Sequence, residues 1–256
     1  MAIGVLGTGS CVPDRVVTNE EIAELVTEAT PEWILRKTGI ATRRWARHGE
    51  ATSDLAAVAA TRALESASVR ADRVSYLILS TSTSDFPQPP TACLVQEMTG
   101  AACFDINAVC AGFVYGVELA RSLVAARPGA LALVIGADVF SRILDFSDRS
   151  TSVLLGDGAG AVVVGEVENG GIADVDCFVP HQANGVLLRE LAERSGLGAA
   201  HTHLTVDRYG NLGSASVPVA LDDAVRTGKI AAGDLVLLAG FGGGMSIGTS
   251  LVRWSA

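Results

Sequence analysis

Short apolar runs recur along this chain, separated by stretches in which apolar residues return at helical spacing. The runs Val74–Leu79, Cys103–Ile106, Leu131–Ile135, Ala161–Val164, Cys177–Val179 and Leu235–Ala239 read as strands, most of them apolar on both faces and therefore buried. Thr18-Asn19-Glu20-Glu21 is a capping box that opens a helix with Ile22, Leu25 and Val26 on one face. A second helix is predicted over Ser53–Ala67, and others over Thr91–Met98, Cys110–Ala125, Asn184–Arg194 and Ala215–Thr227. Strands that alternate with helices predict an α/β fold around a largely buried sheet. No low-complexity segment or linker interrupts the pattern.

Laid side by side, the two halves of the chain echo each other. Ala71-Asp72-Arg73-Val74-Ser75-Tyr76-Leu77-Ile78 matches Ala173-Asp174-Val175-Asp176-Cys177-Phe178-Val179, and Pro128–Gly136 matches Ala232–Gly240. Each half then closes on a glycine-rich turn and a strand, Gly156–Gly160 in the first and Gly240–Gly244 in the second. The spacing predicts a duplicated fold with the boundary between residues 168 and 169. The first half has a long stretch before its echo begins and the second has almost none, so the second copy is short.

Composition narrows the function. Over 256 residues, 49% are hydrophobic and 18% charged, enough to bury a sizeable core and too apolar for a disordered chain. The longest apolar runs fall short of a membrane span, and Met1-Ala2-Ile3-Gly4 lacks the basic flank of a secretory signal, so the cytoplasm is expected. A net charge of −9 argues against nucleic acid as a partner. The five cysteines, Cys11, Cys93, Cys103, Cys110 and Cys177, form no Cys-x-x-Cys pair and suggest neither a disulfide framework nor a zinc knuckle.

Three positions carry candidate chemistry. Cys110 follows an apolar strand and a turn and opens a small-residue helix, where unpaired N–H groups and the helix dipole favour a thiolate. A buried core cysteine is the alternative on spacing alone. His181, in Val179-Pro180-His181-Gln182-Ala183-Asn184, lies at the carboxyl end of a strand, where open α/β sheets place ligands, or is incidental in a capping loop. Asn211, in Gly210-Asn211-Leu212-Gly213-Ser214, reads first as a turn residue. The repeat puts Cys110 and Asn211 at corresponding corners, which favours a shared cleft. His201 and His203 would point to one face of a strand, but no third metal ligand accompanies them. Gly156–Gly160 lacks the lysine of a phosphate loop and reads as a tight turn between strands.

Taken in order, Glu32-Trp33-Ile34, Lys37-Thr38-Gly39-Ile40, Asn107-Ala108-Val109-Cys110-Ala111-Gly112-Phe113, Gly156-Asp157-Gly158-Ala159-Gly160, Val179-Pro180-His181-Gln182-Ala183-Asn184, Gly210-Asn211-Leu212-Gly213-Ser214-Ala215-Ser216 and Phe241-Gly242-Gly243-Gly244 resemble β-ketoacyl-acyl-carrier-protein synthase III. The resemblance implies a thiolase-like five-layered αβαβα fold and a homodimer. It implies Cys110, His181 and Asn211 as the catalytic set, with the backbone N–H groups of Cys110 and Gly243 as an oxyanion hole. Acyl-CoA would load Cys110, and malonyl-acyl carrier protein would lose CO₂ and attack the thioester, with no metal or bound redox cofactor required. By the same resemblance Trp33 and Arg149 would sandwich the adenine of CoA, and Lys37 and Thr38 would contact it. Phe86 and Gln88, in Phe86-Pro87-Gln88-Pro89-Pro90, would shape the acyl pocket, partly across the dimer interface.

Two departures from the family stand out. Relatives carry many more residues between the Gly-Asp-Gly-Ala-Gly motif and the histidine, including a strand and a long helix of the second half. Here Gly165-Glu166-Val167-Glu168-Asn169-Gly170-Gly171-Ile172 runs straight into the next strand. Such a join inside a packed half points to a missing internal segment over a natural shortening. Val186 stands where relatives often have a carrier-docking arginine, and Arg189, on the same helical face, is the expected substitute. The alternatives are acyl transfer from CoA to another acceptor, and a non-catalytic homologue that binds acyl-CoA or a partner.

Overall fold

The computed structural model describes residues 2–167, 175–197 and 199–255. In chain order the elements are β1 (Ala2–Cys11), β2 (Arg15–Thr18), α1 (Asn19–Leu25), α2 (Pro31–Thr38), β3 (Thr42–Trp45), α3 (Thr52–Ser66), β4 (Tyr76–Ser80), α4 (Thr91–Gln96), β5 (Ala102–Ile106), α5 (Gly112–Ala126), β6 (Ala132–Val139) and β7 (Asp157–Val167). There follow β8 (Cys177–Pro180), α6 (Gly185–Arg194), β9 (His201–Thr202), α7 (Val206–Tyr209), α8 (Ser216–Arg226), β10 (Leu235–Gly242) and β11 (Ser246–Arg253). The Thr18 box forms as read, with the Glu21 N–H donating to Thr18 Oγ1 and the Thr18 N–H donating to Glu21 Oε1.

Two sheets carry the duplication. The first has the order β1-β7-β6-β4-β5 and the second β11-β10-β8-β9. In each, two parallel strand pairs (β6-β4-β5 and β10-β8-β9) are flanked by an antiparallel strand, β7 or β11. The echoed segments therefore occupy equivalent places, β4 with β8 and β6 with β10. Among the described residues the second sheet has no counterpart of β1, nor any helix equivalent to α3 before β8. The boundary at 168/169 and the join at Glu168–Ile172 lie outside the described residues.

Helices α5 and α8 fill the space between the sheets, with Phe113, Val114, Val117, Val217, Ala220 and Leu221 buried against inward residues of both. α3 covers the other face of the first sheet, through Leu55, Ala59, Ala63, Leu77 and Leu133. The run Val109–Ala126 is long and apolar enough to cross a membrane by length and composition, but it is this inter-sheet core helix. Ile247 and Leu251 on β11, the edge strand of the second sheet among the described residues, stand exposed.

One expectation is corrected. Asp157–Gly160 is not a tight turn; these residues are the start of strand β7. Their glycines are there for close packing: a Cβ at Gly160 would lie 2.7 Å from the Pro218 carbonyl carbon, so only a bare backbone lets α8 sit this near the sheet. Gly9 does the same for α3, since a Cβ there would lie 2.3 Å from the Ala63 nitrogen and 2.5 Å from the Ala59 oxygen. Both obstacles are backbone and cannot rotate away. Gly9→Ala should therefore force α3 off β1 and cost about 1–3 kcal/mol, read as a lower urea midpoint with an unchanged m-value.

Candidate active site

β5 ends at Ile106, and the chain turns through Asn107 and Ala108 into a short 3₁₀ turn, Val109–Ala111, that leads directly into α5. The turn is tight enough to hold Val109 at φ 49°, a left-handed conformation that β-branched residues avoid. Asn107 steadies it by accepting the Val109 N–H on Oδ1 at 3.2 Å. Cys110 is thereby presented, half-buried, at the entrance to the core helix.

The glycine-rich end of β10 closes on this turn. A Cβ at Gly240 would lie 2.9 Å from the Ala111 Cα and 3.3 Å from the Cys110 oxygen, and one at Gly242 would lie 2.8 Å from the Ala108 oxygen. Gly243, the expected oxyanion-hole residue, follows immediately and lies against Val109. His181 arrives on the same side, because β8 pairs with β10 and the His181 N–H donates to the Ala239 carbonyl at 2.7 Å. Its imidazole is buried, and Nδ1 has no hydrogen-bond partner.

Asn211 enters from the opposite corner, fixed by backbone hydrogen bonds to Leu154 and Gly156. Its Oδ1 accepts the Gly213 N–H at 2.9 Å, which orients the amide and leaves Nδ2 as a free donor. The next turn, Gly213–Ala215, packs on Val109–Ala111. The two corners predicted to correspond thus do meet.

A residue that the sequence reading passed over joins them. Asp138, near the end of β6, is completely buried and accepts hydrogen bonds from Ser82 N, Ser214 N, Ser214 Oγ, Thr81 Oγ1 and Thr83 Oγ1. Burial pushes its carboxyl up to about 6 despite those donors. A lone aspartate inside the apolar strand Ala132–Val139 was the available signal.

The electrostatics differ from the simple helix-terminus expectation. Burial, and then the Asp138 charge, push the Cys110 thiol up to about 12, only partly offset by its own backbone N–H. The thiol therefore rests protonated and needs a base. Burial lowers His181 to about 4, so its imidazole is neutral at pH 7, the form that can act as an acceptor, although the same burial disfavours the imidazolium.

The outer residues are placed less uniformly. The Arg149 guanidinium carbon sits 4.9 Å from the Trp33 ring centroid, so these two side chains stack directly on one another. The Thr38 hydroxyl is buried and spent on the backbone, donating to the Ile34 carbonyl and accepting the Ile40 N–H, while Lys37 is exposed. Asn184 caps α6 and donates from Nδ2 to the Lys37 carbonyl, which brings exposed Arg189 over Gly39. Phe86 and Gln88 are exposed on a loop. His201 Nε2 and His203 Nδ1 face each other at 3.3 Å, and Asp223 takes the other His203 nitrogen at 2.8 Å. Among the described residues no group of three or more such ligands gathers to hold a metal.

This arrangement has close parallels. The 3-oxoacyl-[acyl-carrier-protein] synthase III family matches residues 104–179, and its C-terminal region matches residues 166–254. The acetoacetyl CoA synthase NphT7 of Streptomyces sp. (strain CL190) is 39% identical, with 98% of each chain covered. That alignment runs over 324 positions against the 256 residues of this chain. The β-ketoacyl-acyl-carrier-protein synthase III of Clostridioides difficile (strain 630) is 36% identical, again over 98% of each chain. Among solved structures, the 3-oxoacyl-[acyl-carrier-protein] synthase III of Aquifex aeolicus VF5 superposes with a TM-score of 0.92 at 33% identity, covering 99% of this chain and all of that one. The priming β-ketosynthase of the R1128 polyketide pathway gives 0.93 at 29% identity, covering 99% and 96%.

The two histidine states can be checked by pH. Unfolded His181 would titrate near 6.5 and folded His181 near 4, so the unfolded chain binds the extra proton in between. Stability from this group is complete above about pH 6.5 and falls by about 3 kcal/mol on acidification to pH 4. Asp138 titrates in the same window with the opposite sign, so the readout is a difference: denaturation midpoints of His181→Asn should fall less between pH 6.5 and 4 than those of the unsubstituted protein.

With the cysteine turn, the glycine-rich strand end, the buried histidine and the oriented asparagine gathered at one place, and with relatives matched end to end, the chain belongs to the β-ketoacyl-acyl-carrier-protein synthase III family of condensing acyltransferases, built on the thiolase-like fold.

Proposed function

We propose that this chain joins an acyl primer from acyl-CoA to a malonyl-derived two-carbon unit, with Cys110, His181 and Asn211 as its working groups. The observations that carry the reading are a buried, neutral His181 imidazole whose Nδ1 has no partner and an Asn211 amide whose Nδ2 is left free, carried on elements that pack around the Cys110 turn. Under this reading both donors serve one developing enolate oxygen, which requires such donors.

In the first half-reaction Cys110 Sγ attacks the thioester carbonyl of acyl-CoA. The thiol proton leaves through His181, and CoA departs as its thiol, carrying that proton away. The backbone N–H groups of Cys110 and Gly243 stabilise the tetrahedral oxyanion, a role supported by the close approach of Gly240 and Gly242 to the turn that carries Cys110. In the second half-reaction a malonyl thioester loses CO₂, and the enolate oxygen is held by donors on His181 and Asn211. The carbanion attacks the acyl-Cys110 carbonyl, and Cys110 leaves to give a 3-oxoacyl thioester. Every step uses the chain's own groups and the two thioesters, so no metal or bound cofactor enters.

CoA recognition is assigned to the Trp33–Arg149 pair and Lys37, with Thr38 holding the backbone of that turn. An adenine would have to part Trp33 from Arg149 to lie between them. The Phe86 and Gln88 loop lies on the surface, which suits a wall completed by a second copy in a homodimer. The cytoplasm, where five free cysteines stay reduced, is the compartment that suits this chemistry.

A second reading concerns the acceptor alone. A relative at 39% identity is named an acetoacetyl CoA synthase, and Val186 stands exposed where a carrier-docking arginine is expected, with only Arg189 nearby. Both favour a malonyl group carried on CoA over one carried on acyl carrier protein.

Incubation with a panel of acyl-CoAs should add one acyl mass per chain, and Cys110→Ala should abolish the adduct. Asn211→Ala should still load Cys110, yet lose condensation by a factor of about 10²–10³, as when an oxyanion donor is removed, whereas His181→Ala, which also removes the acceptor of the thiol proton, should slow loading as well as condensation. Malonyl-CoA and malonyl-acyl carrier protein compared as acceptors separate the two readings. A folded protein that takes up no acyl group at Cys110 overturns both.

A further inference from the structure

Two cysteines lie outside the catalytic set and meet each other. Cys93 is in the first turn of α4 and Cys103 is on β5, the edge strand of the first sheet, with their sulfurs 3.5 Å apart. The contact is enforced from both sides. Asp105, two residues along the same face of β5, accepts the Thr91 N–H and the Ala92 N–H, each at 2.7 Å, and so clamps the start of α4 onto the strand. Neither cysteine is fully buried.

From this geometry we propose that Cys93 and Cys103 form a reversible dithiol–disulfide site that responds to hydroperoxides and braces the loop entering α4. The step balances as a two-electron oxidation. The Cys93 sulfur attacks the peroxide O–O bond, forms a sulfenic acid and releases the alcohol or water. The Cys103 sulfur then attacks the Cys93 sulfur, the S–O bond breaks, and the hydroxide leaves as water with the Cys103 proton. Burial, then the neighbouring Cys93 thiol, push Cys103 up to about 11, which suits it to the second, resolving role. Closing the bond needs the sulfurs to approach by about 1.5 Å, to the normal S–S length near 2.05 Å.

The position gives the bond a consequence. α4 begins directly after Phe86–Pro90, and Thr91 Oγ1 accepts the Asp85 N–H at the other end of that loop. Asp85 in turn caps α3 by accepting the Thr52 and Ser53 N–H groups. β5, on the other side of the bond, runs into the turn that presents Cys110. A disulfide would therefore fix the exit of the Phe86–Pro90 loop to the strand that feeds the nucleophile. This consequence, though not the disulfide itself, rests on the condensing-enzyme reading.

The test treats the purified protein with hydrogen peroxide. Titratable thiols should fall from five to three, the mass should drop by two hydrogens, and a reductant should restore both. A non-reducing peptide map should show Cys93 joined to Cys103. Cys93→Ser and Cys103→Ser, made separately so that one folding failure does not decide the matter, should each prevent the cross-link, while Cys110→Ala should leave it intact. Five thiols unchanged, oxygen adducts without a cross-link, or a bridge between other cysteines overturns the site. Loading of a long-chain acyl-CoA relative to acetyl-CoA should fall several-fold on oxidation and recover on reduction. An unchanged ratio overturns the brace and leaves the disulfide standing, and absence of all loading counts against the condensing reading alone.

Discussion

Asp138 is the constraint on which the active site depends. A carboxylate with no access to water is unfavourable unless its oxygens are met, and here Thr81, Ser82, Thr83 and Ser214 meet them. Those donors come from two places that share no sequence neighbourhood: the end of β4 and the turn after Asn211. Satisfying one buried charge thus ties the first half of the chain to the second at the level of Cys110. Ser214 reinforces the tie because its single hydroxyl proton is shared between Asp138 and the Ser80 carbonyl, which lies 2.8 Å from Oγ. The room for it is made by Gly213, at φ 58°, where a Cβ would collide with Asp138 and with the Phe140 ring. The same charge adds to burial, the larger cause, in raising the Cys110 thiol, so the group that assembles the site also adds to the need for a base.

The sequence was most legible where one physical signal dominated. Continuous apolar runs located β4, β5, β6, β8 and β10 to within a few residues, and the periodic stretches located α3, α5, α6 and α8. β1 and β11 escaped because glycine, serine and threonine break their apolar runs; in β1, the glycine at position 9 accommodates α3. β7 was misread at its start for the same reason, since glycines that admit α8 look like glycines that make a turn. The site residues Cys110, His181 and Asn211 stood out through their neighbours and not through any long-range signal. Asp138 and the fully buried Arg43, which donates to Asn19 and the Val153 carbonyl, belong to a kind that sequence hides. Their partners lie far along the chain, and a charged residue alone looks like surface.

The second half shows what a duplicated architecture does when one copy is short. Its parallel strands, its histidine and its asparagine are all in place because they answer to β10 and to α8, not to an outer strand. On the far side, β11 has no neighbour like β1 among the described residues and exposes Ile247 and Leu251. An edge strand with exposed apolar residues is a template for pairing with another strand.

The position of α5 has a further consequence, for the order in which the chain can acquire its shape. Gly116 lets one side of this helix settle onto β4 and β6, whereas Val114 and Tyr115 lie against Gly240 and Gly248 of β10 and β11. The first set of contacts is available once β6 has been made. The second waits for β10 and β11, and β1 waits for β7, whose paired residues lie 148 to 165 positions later. A nascent chain leaving the ribosome therefore carries this apolar helix with one side bare until β10 and β11 have emerged. Apolar surface exposed in that interval, and not the final architecture, is what invites aggregation.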